Sequence, residues 1–229
     1  MADQHHVEPI AGIIVAGGQS RRMGEDKRRL KLWGAAGPTL LEHTVAVVAR
    51  LCAQVIVVLN DPEAWPQLRA PAVDQLVRDV FPRGGSLGGI YSGLSVAHYD
   101  HALVVAADMP LLSETLLRWM VAQPRNFDVL VPRVNEGGKA RNKLGVESLH
   151  AIYSQACLGP MERQLVAGNP QVIGFYDEVR VRLIEPATIA RLDPQGQAFR
   201  NVNTPEELEL VRNVLQGAQE RDASETTGA

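Results

Sequence analysis

The chain has 229 residues, of which 45% are hydrophobic and 21% are charged, a composition typical of a folded protein with a substantial core. Its formal net charge of -3 argues against general nucleic-acid binding, and it shows neither an apolar run long enough to span a membrane nor a secretory signal. The two cysteines, Cys52 and Cys157, lack metal-ligand spacing and are expected to be buried thiols in the reducing cytoplasm.

Apolar runs alternate with helix-like segments along the chain. Strands are predicted at 10–15, 55–59, 102–106 and 129–131, and helices at 39–51, 87–97, 113–121 and from 204 onward. The first and last of these helices begin with capping boxes. The alternation predicts an α/β fold, a single Rossmann-like domain over 10–216 with a mostly parallel sheet flanked by helices. Polar tails at 1–9 and 217–229 are expected to be disordered.

The segment after the first predicted strand is the most informative part of the chain. Residues 15–27 have the sequence VAGGQSRRMGEDK. Its small residues would let backbone N–H groups approach phosphate oxygens, and its cationic side chains could close around them. From Arg21 to Lys31 there are six Lys or Arg residues against two acids. This pattern predicts an anionic ligand, a nucleoside triphosphate, in preference to an ordinary glycine-rich turn with a solvated basic flank.

Two commoner phosphate-binding motifs do not fit this segment. A P-loop requires Gly-Lys followed by Ser or Thr, but Gly24 is followed by Glu25 and Lys27 by Arg28. The dinucleotide fingerprint G-x-G-x-x-G is broken because Gln19 stands where its second glycine is needed. The segment therefore belongs to another kind of phosphate-binding loop.

Asp108 directly follows the third predicted strand, which places a carboxylate at the ligand-binding edge of the sheet. Magnesium prefers oxygen ligands, usually one or two carboxylates together with substrate phosphates. Asp108 is therefore a candidate metal ligand, and the alternative is an aspartate that caps the turn before Pro110. The long loop over 132–149, rich in Gly, Asn and charge, is either a substrate-side insertion or a surface excursion.

Residues 16–27 closely resemble the signature loop of the nucleotidyltransferases, A-G-G-x-S-x-R-M-G-x-x-K, and the likeness extends over about residues 10 to 215. Within that family the chain is most similar to the molybdenum cofactor guanylyltransferases, with further matches at 81–90, 148–153 and 201–205. The resemblance implies a fold of the nucleotide-diphospho-sugar-transferase type. Ser86 and Ser148 stand where the family usually has proline.

The resemblance also assigns site residues. Lys27 and Asp108 would be catalytic, and the lysine would neutralise charge on the α-phosphate. Asp108 would hold Mg2+, and Asn203 would complete the metal site. His150 would line the acceptor pocket or be a buried structural histidine. The other nucleotide-binding positions that it implies are Ala16, Gly17, Gly18, Arg22, Asn60, Asp79 and Gly85.

The reaction implied by the resemblance is transfer of GMP from GTP to molybdopterin or its molybdenum-loaded form, with release of pyrophosphate. The acceptor phosphate is already ionised at neutral pH and needs no general base, which agrees with the lack of a convincing Ser/His/Asp or Cys/His set in the sequence. Besides GTP and molybdopterin, the implied partners are molybdoenzymes or other cofactor-biosynthesis proteins. Neither nucleic acid nor membrane is expected as a partner.

Three alternatives remain open at this stage. A molybdopterin cytidylyltransferase would share the fold but usually carries A-A-G where this chain has residues 16–18. A sugar-phosphate or polyol-phosphate nucleotidyltransferase shares the first loop but is not expected to show the segments at 148–153 and 201–205. A non-catalytic nucleotide-binding or cofactor-delivery protein would bind GTP without releasing pyrophosphate.

Overall fold

A computed structural model describes residues 8–17, 26–34, 36–65, 68, 72–134 and 142–226 of the chain, with side chains as far as residue 217. The strands within these residues are β1 Ala11–Val15, β2 Gln54–Leu59, β3 Gln75–Arg78, β4 His101–Ala106, β5 Val129–Pro132, β6 His150–Ser154 and β7 Val181–Ile184. They form one seven-stranded sheet in the order β3-β2-β1-β4-β6-β5-β7.

Strand direction determines which ends of the strands meet. β1 to β4 run parallel to one another, whereas β6 is antiparallel to both of its neighbours, β4 and β5. β6 therefore begins at the sheet edge where the parallel strands end. β2 and β3 lie on one side of β1, whereas β4 lies on its other side. The strand order therefore reverses beside β1. In open α/β sheets, ligands bind outside the carboxyl ends of the strands at such a point.

Helices cover both faces of the sheet. The α-helices are α1 Leu40–Ala49, α2 Gly85–Leu94, α3 Glu114–Val121, α4 Leu158–Val166, α5 Pro186–Leu192 and α6 Pro205–Thr226. Short 3-10 helices lie at Lys27–Arg29, Pro62–Ala64, Gln155–Cys157 and Val172–Glu178. The described part of the chain contains no helix with the length and apolar character needed to cross a bilayer.

The hydrophobic core is divided into layers by the sheet. Successive strand residues point to opposite faces, so Ile14 packs in the layer under α1 and α3, whereas Ile13 packs in the layer under α2 and α4. Both side chains are fully buried. Such double-sided burial explains why the central strands have continuous apolar sequences.

Helix α2 approaches β1 unusually closely. A Cβ atom built on Gly89 would lie 2.7 Å from Cγ1 of Val15. Only glycine allows this approach without displacement of the strand. The N-terminal end of α2 is thereby held beside the end of β1, at the switch point.

The predicted fold class is confirmed, and β1, β2, β4 and β5 match the predicted strands to within one residue at each end. Three strands and two helices of the structure were not predicted: β3, β6, β7, α4 and α5. A disordered tail was expected over 217–229, but α6 extends to Thr226. The Gln, Glu, Ala and Arg residues in the last part of this helix favour helix formation. The domain limits themselves stay a prediction.

Candidate active site

The carboxyl ends of β1 to β4 open onto one cavity of about 270 Å³, which we call the strand-end cavity. Ala16 and Gly17 follow β1, Asn60 follows β2, Asp79 follows β3 and Asp108 follows β4. All five residues line the cavity. The fold therefore brings together residues that are separated along the chain, four of them predicted as nucleotide contacts and Asp108 predicted as a metal ligand.

Lys27 points into this cavity. Its ammonium nitrogen donates to Asp108 Oδ2 at 2.6 Å and to Asn203 Oδ1 at 3.2 Å. The side chains of Lys27 and Asp108 are only 14% and 20% exposed, so water screens the pair weakly. The backbone N–H of Val202 donates to the Asp108 carbonyl at 2.9 Å, which holds the segment before α6 against the end of β4.

The oxygens around the Lys27 ammonium fit a divalent cation. Asp108 Oδ2, Asn203 Oδ1 and the Val202 carbonyl all lie within 3.4 Å of this one cationic group. Hard divalent cations prefer such oxygen donors. Within the described ranges, no three His, Cys, Asp or Glu side chains are grouped closely enough to hold a metal by themselves. A cation at this point would complete its coordination with water and substrate phosphates.

Asn60 lines the strand-end cavity at the end of β2, on the other side of β1 from β4. Its Nδ2 donates to the Gly17 carbonyl, which fixes the orientation of the amide. Its Oδ1 is buried and accepts no hydrogen bond from the residues that the structure describes. An unpaired buried acceptor is unfavourable, so a ligand N–H group placed there would relieve this cost.

Asp79 connects β3 to α2. Its Oδ1 accepts a hydrogen bond from the Phe81 N–H at 2.8 Å and another from Ser92 Oγ at 3.0 Å. One carboxylate oxygen therefore orders the turn that leads into α2. Gly85, the first residue of α2, has a φ of +56°, and the backbone lines the cavity there without a side chain.

The cationic residues that follow Lys27 are engaged by the protein itself. Arg28 donates to the carboxylates of Asp26 and Asp61, and Arg29 packs over a buried indole ring. Part of the dense positive charge that was predicted to bind phosphate therefore holds the protein's own structure around residues 26–29 instead. Two further predicted contacts, Gly18 and Arg22, lie outside the described residues.

Other residues of the site were not selected from the sequence. Asn201 and Glu147 line the strand-end cavity. Asn201 Oδ1 is buried and, within the described chain, has no hydrogen-bond partner, like Asn60 Oδ1. The resemblance over 201–205 includes Asn201 but assigns the metal-ligand role to Asn203. Glu147 lies in a loop, where no local pattern indicates that it faces the strand ends.

A second cavity of about 440 Å³ adjoins the first, and we call it the side cavity. Ser86, Glu147 and Leu149 line both cavities. The Leu149 carbonyl accepts from the Ala106 N–H at 3.1 Å, so the junction lies beside the end of β4, close to Asp108. The other side-cavity residues are Asn142, Lys143, Val146, Ser148, Gln171, Val172 and Ile173.

His150, the first residue of β6, is fully buried. Its ring packs edge-on against Phe199, with 4.9 Å between ring centroids, and burial lowers the pKa of the imidazole to about 3. Neither ring nitrogen accepts or donates a hydrogen bond among the described residues. The imidazole is therefore neutral at physiological pH, and its position favours the structural interpretation over a place in the acceptor pocket.

Comparison with known proteins agrees with this geometry. The family model described as "MobA-like NTP transferase domain" matches residues 12–191. A protein of Chloroflexus aggregans, named "Probable molybdenum cofactor guanylyltransferase", is 40% identical, and the match covers 90% of this chain and 95% of that protein. A "Molybdenum cofactor guanylyltransferase" of Desulfosudis oleivorans is 32% identical over 93% of this chain and 99% of its own length.

A solved structure shows the same fold. The molybdopterin-guanine dinucleotide biosynthesis protein A of Archaeoglobus fulgidus matches with a TM-score of 0.73 at 22% identity, over 91% of this chain and 100% of that one. At this level of identity the structural match supports the fold, while the sequence matches identify the family. The chain belongs to the MobA-like NTP transferase family.

Proposed function

We propose that the protein transfers GMP from GTP to molybdopterin, or to its molybdenum-loaded form, and releases pyrophosphate. The observation that carries this proposal is the convergence of Lys27, Asp108 and Asn203 at the carboxyl end of the sheet. A cation and two oxygen ligands at a strand-end cavity suit a triphosphate with its counter-ion. The names of the most similar relatives favour GTP as the nucleotide and molybdopterin as the acceptor.

The chemistry requires positioning and charge neutralisation rather than a protein nucleophile. An acceptor phosphate oxygen attacks the α-phosphorus of GTP, the bond to the β-phosphate oxygen breaks, and pyrophosphate carries away the electron pair. Both reactants are polyanions, so their mutual repulsion is the main obstacle. Lys27 would neutralise charge on the α-phosphate as it develops, and a buried ammonium acts strongly because few water molecules screen it.

We propose Mg2+ as the metal, held by Asp108 and Asn203. When bound, it would polarise the phosphoryl oxygens and screen their charge. The protein's own contribution is to fix these two oxygen ligands at the end of β4 and at the entry of α6. Lys27 lies between the same oxygens, so its ammonium would shift toward the substrate phosphates when the metal binds.

The two adjoining cavities suggest where each substrate lies. The strand-end cavity reaches from Lys27 and Asp108 to Asn60 and Gly85, so we assign it to the nucleotide. The side cavity meets it beside the end of β4, which lets an acceptor place its phosphate near Asp108. We therefore assign the side cavity to the acceptor. Its walls combine apolar side chains with polar groups, which suits a pterin ring system.

Pyrophosphate release tests the overall proposal. Purified protein with magnesium is given GTP, CTP, ATP or UTP, each with and without molybdopterin. We expect release with GTP only, and only when molybdopterin is present. Release with CTP would instead indicate a cytidylyltransferase with the same mechanism. Tight GTP binding without release would indicate a nucleotide-binding delivery protein and would refute the enzymatic proposal.

The role of Asp108 is tested by Asp108→Ala. We expect turnover to fall roughly a thousandfold, equivalent to about 4 kcal/mol of barrier, with the fold intact. The matched control is Asp177→Ala, because Asp177 is an exposed aspartate that lines neither cavity. Turnover of Asp108→Ala within tenfold of the unsubstituted protein would remove Asp108 as the metal ligand.

The acceptor assignment is tested by filling the side cavity. Val172→Trp places a large ring on the wall of that cavity, and Val166→Trp places the same ring on a helix surface where Val166 is 75% exposed. We expect Val172→Trp to raise the KM for molybdopterin at least about tenfold without changing the KM for GTP. A raised KM for GTP instead would show that the nucleotide occupies the side cavity.

A further inference from the structure

One guanidinium connects three segments around the strand-end cavity. Arg28 donates through Nη1 to the Ala16 carbonyl at 3.0 Å and to Asp61 Oδ1 at 2.8 Å. It donates through Nε and Nη2 to Asp26 at 2.8 Å each, and through Nη2 to Asp61 Oδ2 at 3.0 Å. The guanidinium carbon also lies 5.1 Å from the ring centroid of Trp65, which is 1% exposed.

Arg28 holds the signature loop near both of its ends. Ala16 is the first residue of the loop, directly after β1, and Asp26 lies next to its last residue, Lys27, as the cap of the 3-10 helix Lys27–Arg29. Asp61 belongs to the turn after β2, so the same guanidinium ties both ends of the loop to the neighbouring strand end. Arg29 strengthens the connection by packing 4.0 Å over the Trp65 ring and donating to the Ala64 carbonyl at 2.6 Å.

The charge balance argues against a direct role in phosphate binding. Two carboxylates, Asp26 and Asp61, form ion pairs with Arg28, and the arginine side chain is only 12% exposed. A guanidinium with its fork occupied by carboxylates has little capacity left for a phosphate. Arg28 and Lys27 both line the strand-end cavity, but the guanidinium N–H groups of Arg28 are bonded to Asp26, Asp61 and the Ala16 carbonyl. The Lys27 ammonium lies beside Asp108 and supplies positive charge to the cavity.

We propose that Arg28 is a positioning residue for nucleotidyl transfer: by holding both ends of the signature loop to the end of β2, it fixes Lys27 at the reacting phosphate. The inference rests on the proposed function, because it requires Lys27 to act on the substrate. A misplacement of about 1 Å can cost a hundredfold in rate, so a residue whose donors are all bonded to the protein can still limit turnover. The bidentate geometry requires arginine, since lysine cannot form the same fork.

The test is a double-mutant cycle with Lys27. We measure single-turnover pyrophosphate release and GTP affinity by calorimetry for Arg28→Ala, Arg28→Lys, Lys27→Ala and the double variant Lys27→Ala/Arg28→Ala. We expect both Arg28 variants to lower the rate at least about tenfold while GTP affinity changes less than about threefold. In the Lys27→Ala background, Arg28→Ala should cost less than about threefold, because the two residues act as a unit.

Two results would overturn the proposal. Equal losses from Arg28→Ala in both backgrounds would show that Arg28 acts independently of Lys27. Wild-type rate in Arg28→Lys would show that only its charge matters, as in a direct phosphate contact. If Arg28→Ala does not fold, Asp61→Asn provides the same test. A loss of about threefold or more in the single-turnover rate that vanishes in the Lys27→Ala background supports the proposal. An unchanged rate overturns it.

A matched control separates this role from general stability. Arg180 also makes a bidentate contact with an aspartate, Asp128, but lies outside both cavities. Arg180→Ala should lower the unfolding temperature without changing the rate. The unsubstituted protein provides the remaining control, because its failure to release pyrophosphate would refute the proposed function rather than the role of Arg28.

Discussion

The Asp128–Arg180 pair gives the stability of this fold a specific pH dependence. Asp128 precedes β5 and is 8% exposed. Its Oδ2 accepts from the Arg180 backbone N–H at 2.8 Å and from Nε at 3.0 Å, and its Oδ1 accepts from Nη2 at 2.8 Å. These bonds join the starts of β5 and β7. Hydrogen bonds from the Arg180 side chain lower the pKa of Asp128 from 3.8 to about 2.

The size of the effect follows from this shift. A carboxyl whose pKa is lower in the folded state stabilises the fold above its unfolded pKa, and this stabilisation is lost as the pH falls through the folded value. At about 1.36 kcal/mol per pKa unit, the shift from 3.8 to about 2 corresponds to at most roughly 2.4 kcal/mol at pH 7. Because Arg180 is 67% exposed and solvent screens it, we expect about 1 to 2 kcal/mol.

The assay is urea unfolding of the unsubstituted protein and of Asp128→Asn between pH 7 and pH 3. Asp128→Asn should lower the free energy of unfolding at pH 7 by about 1 to 2 kcal/mol, and this difference should fall to roughly half by pH 3. The control is Glu178→Gln, which removes an exposed ion pair with Arg163 and should cost less than about 0.5 kcal/mol. A difference that stays constant with pH would refute the electrostatic explanation.

Other substitutions and reagents test packing, helix capping and thiol reactivity. Gly89→Ala should lower the free energy of unfolding by about 1 to 3 kcal/mol, because its Cβ would lie 2.7 Å from Val15 Cγ1; unchanged stability in urea would contradict the close packing. Thr39→Ala should cost about 1 kcal/mol by removing the cap of α1, and an effect near zero would show that the helix start is stabilised otherwise. Burial raises the pKa of the Cys157 thiol to about 12, so at pH 8 a disulfide reagent should modify it roughly a thousandfold more slowly in the folded than in the unfolded protein. Rapid modification of the folded protein would contradict that burial.

The parts of the fold that the sequence predicted are those with strong local patterns. The buried strands β1, β2 and β4 are apolar apart from the first residue of β2 and of β4, and the start of α1 has a complete capping box. β3 and β7 have only four residues each and lie at the two edges of the sheet, so half-buried side chains leave little periodicity to detect. β6 follows a long polar loop, and its antiparallel pairing with β4 depends on contacts that no local pattern encodes.

The residues of the candidate site were likewise predictable only where a local sequence pattern marks them. Lys27 and Asp108 stand in recognisable local contexts, a signature loop and a strand end. The role of Arg28 could not be predicted, because its partner Asp61 is 33 residues away and only the folded chain shows that carboxylates occupy the guanidinium. Asn201 and Glu147 were missed for a related reason, since their exposure to the cavity depends on how two loops pack against the sheet.

The order of strands in the sheet has a consequence for biosynthesis. Ala11 of β1 pairs with Gln54 and with Ala102, so the central strand stays incomplete until β4 has been made. The contact between Lys27 and Asn203 spans 176 residues, which at about 5 to 20 residues per second corresponds to roughly 10 to 35 seconds of translation. A nascent chain that ends before Asn203 therefore lacks part of the site proposed for the nucleotide. If that proposal holds, GTP can stabilise the protein fully only after α6 has begun to form, and retention on immobilised GTP would distinguish finished molecules from arrested ones.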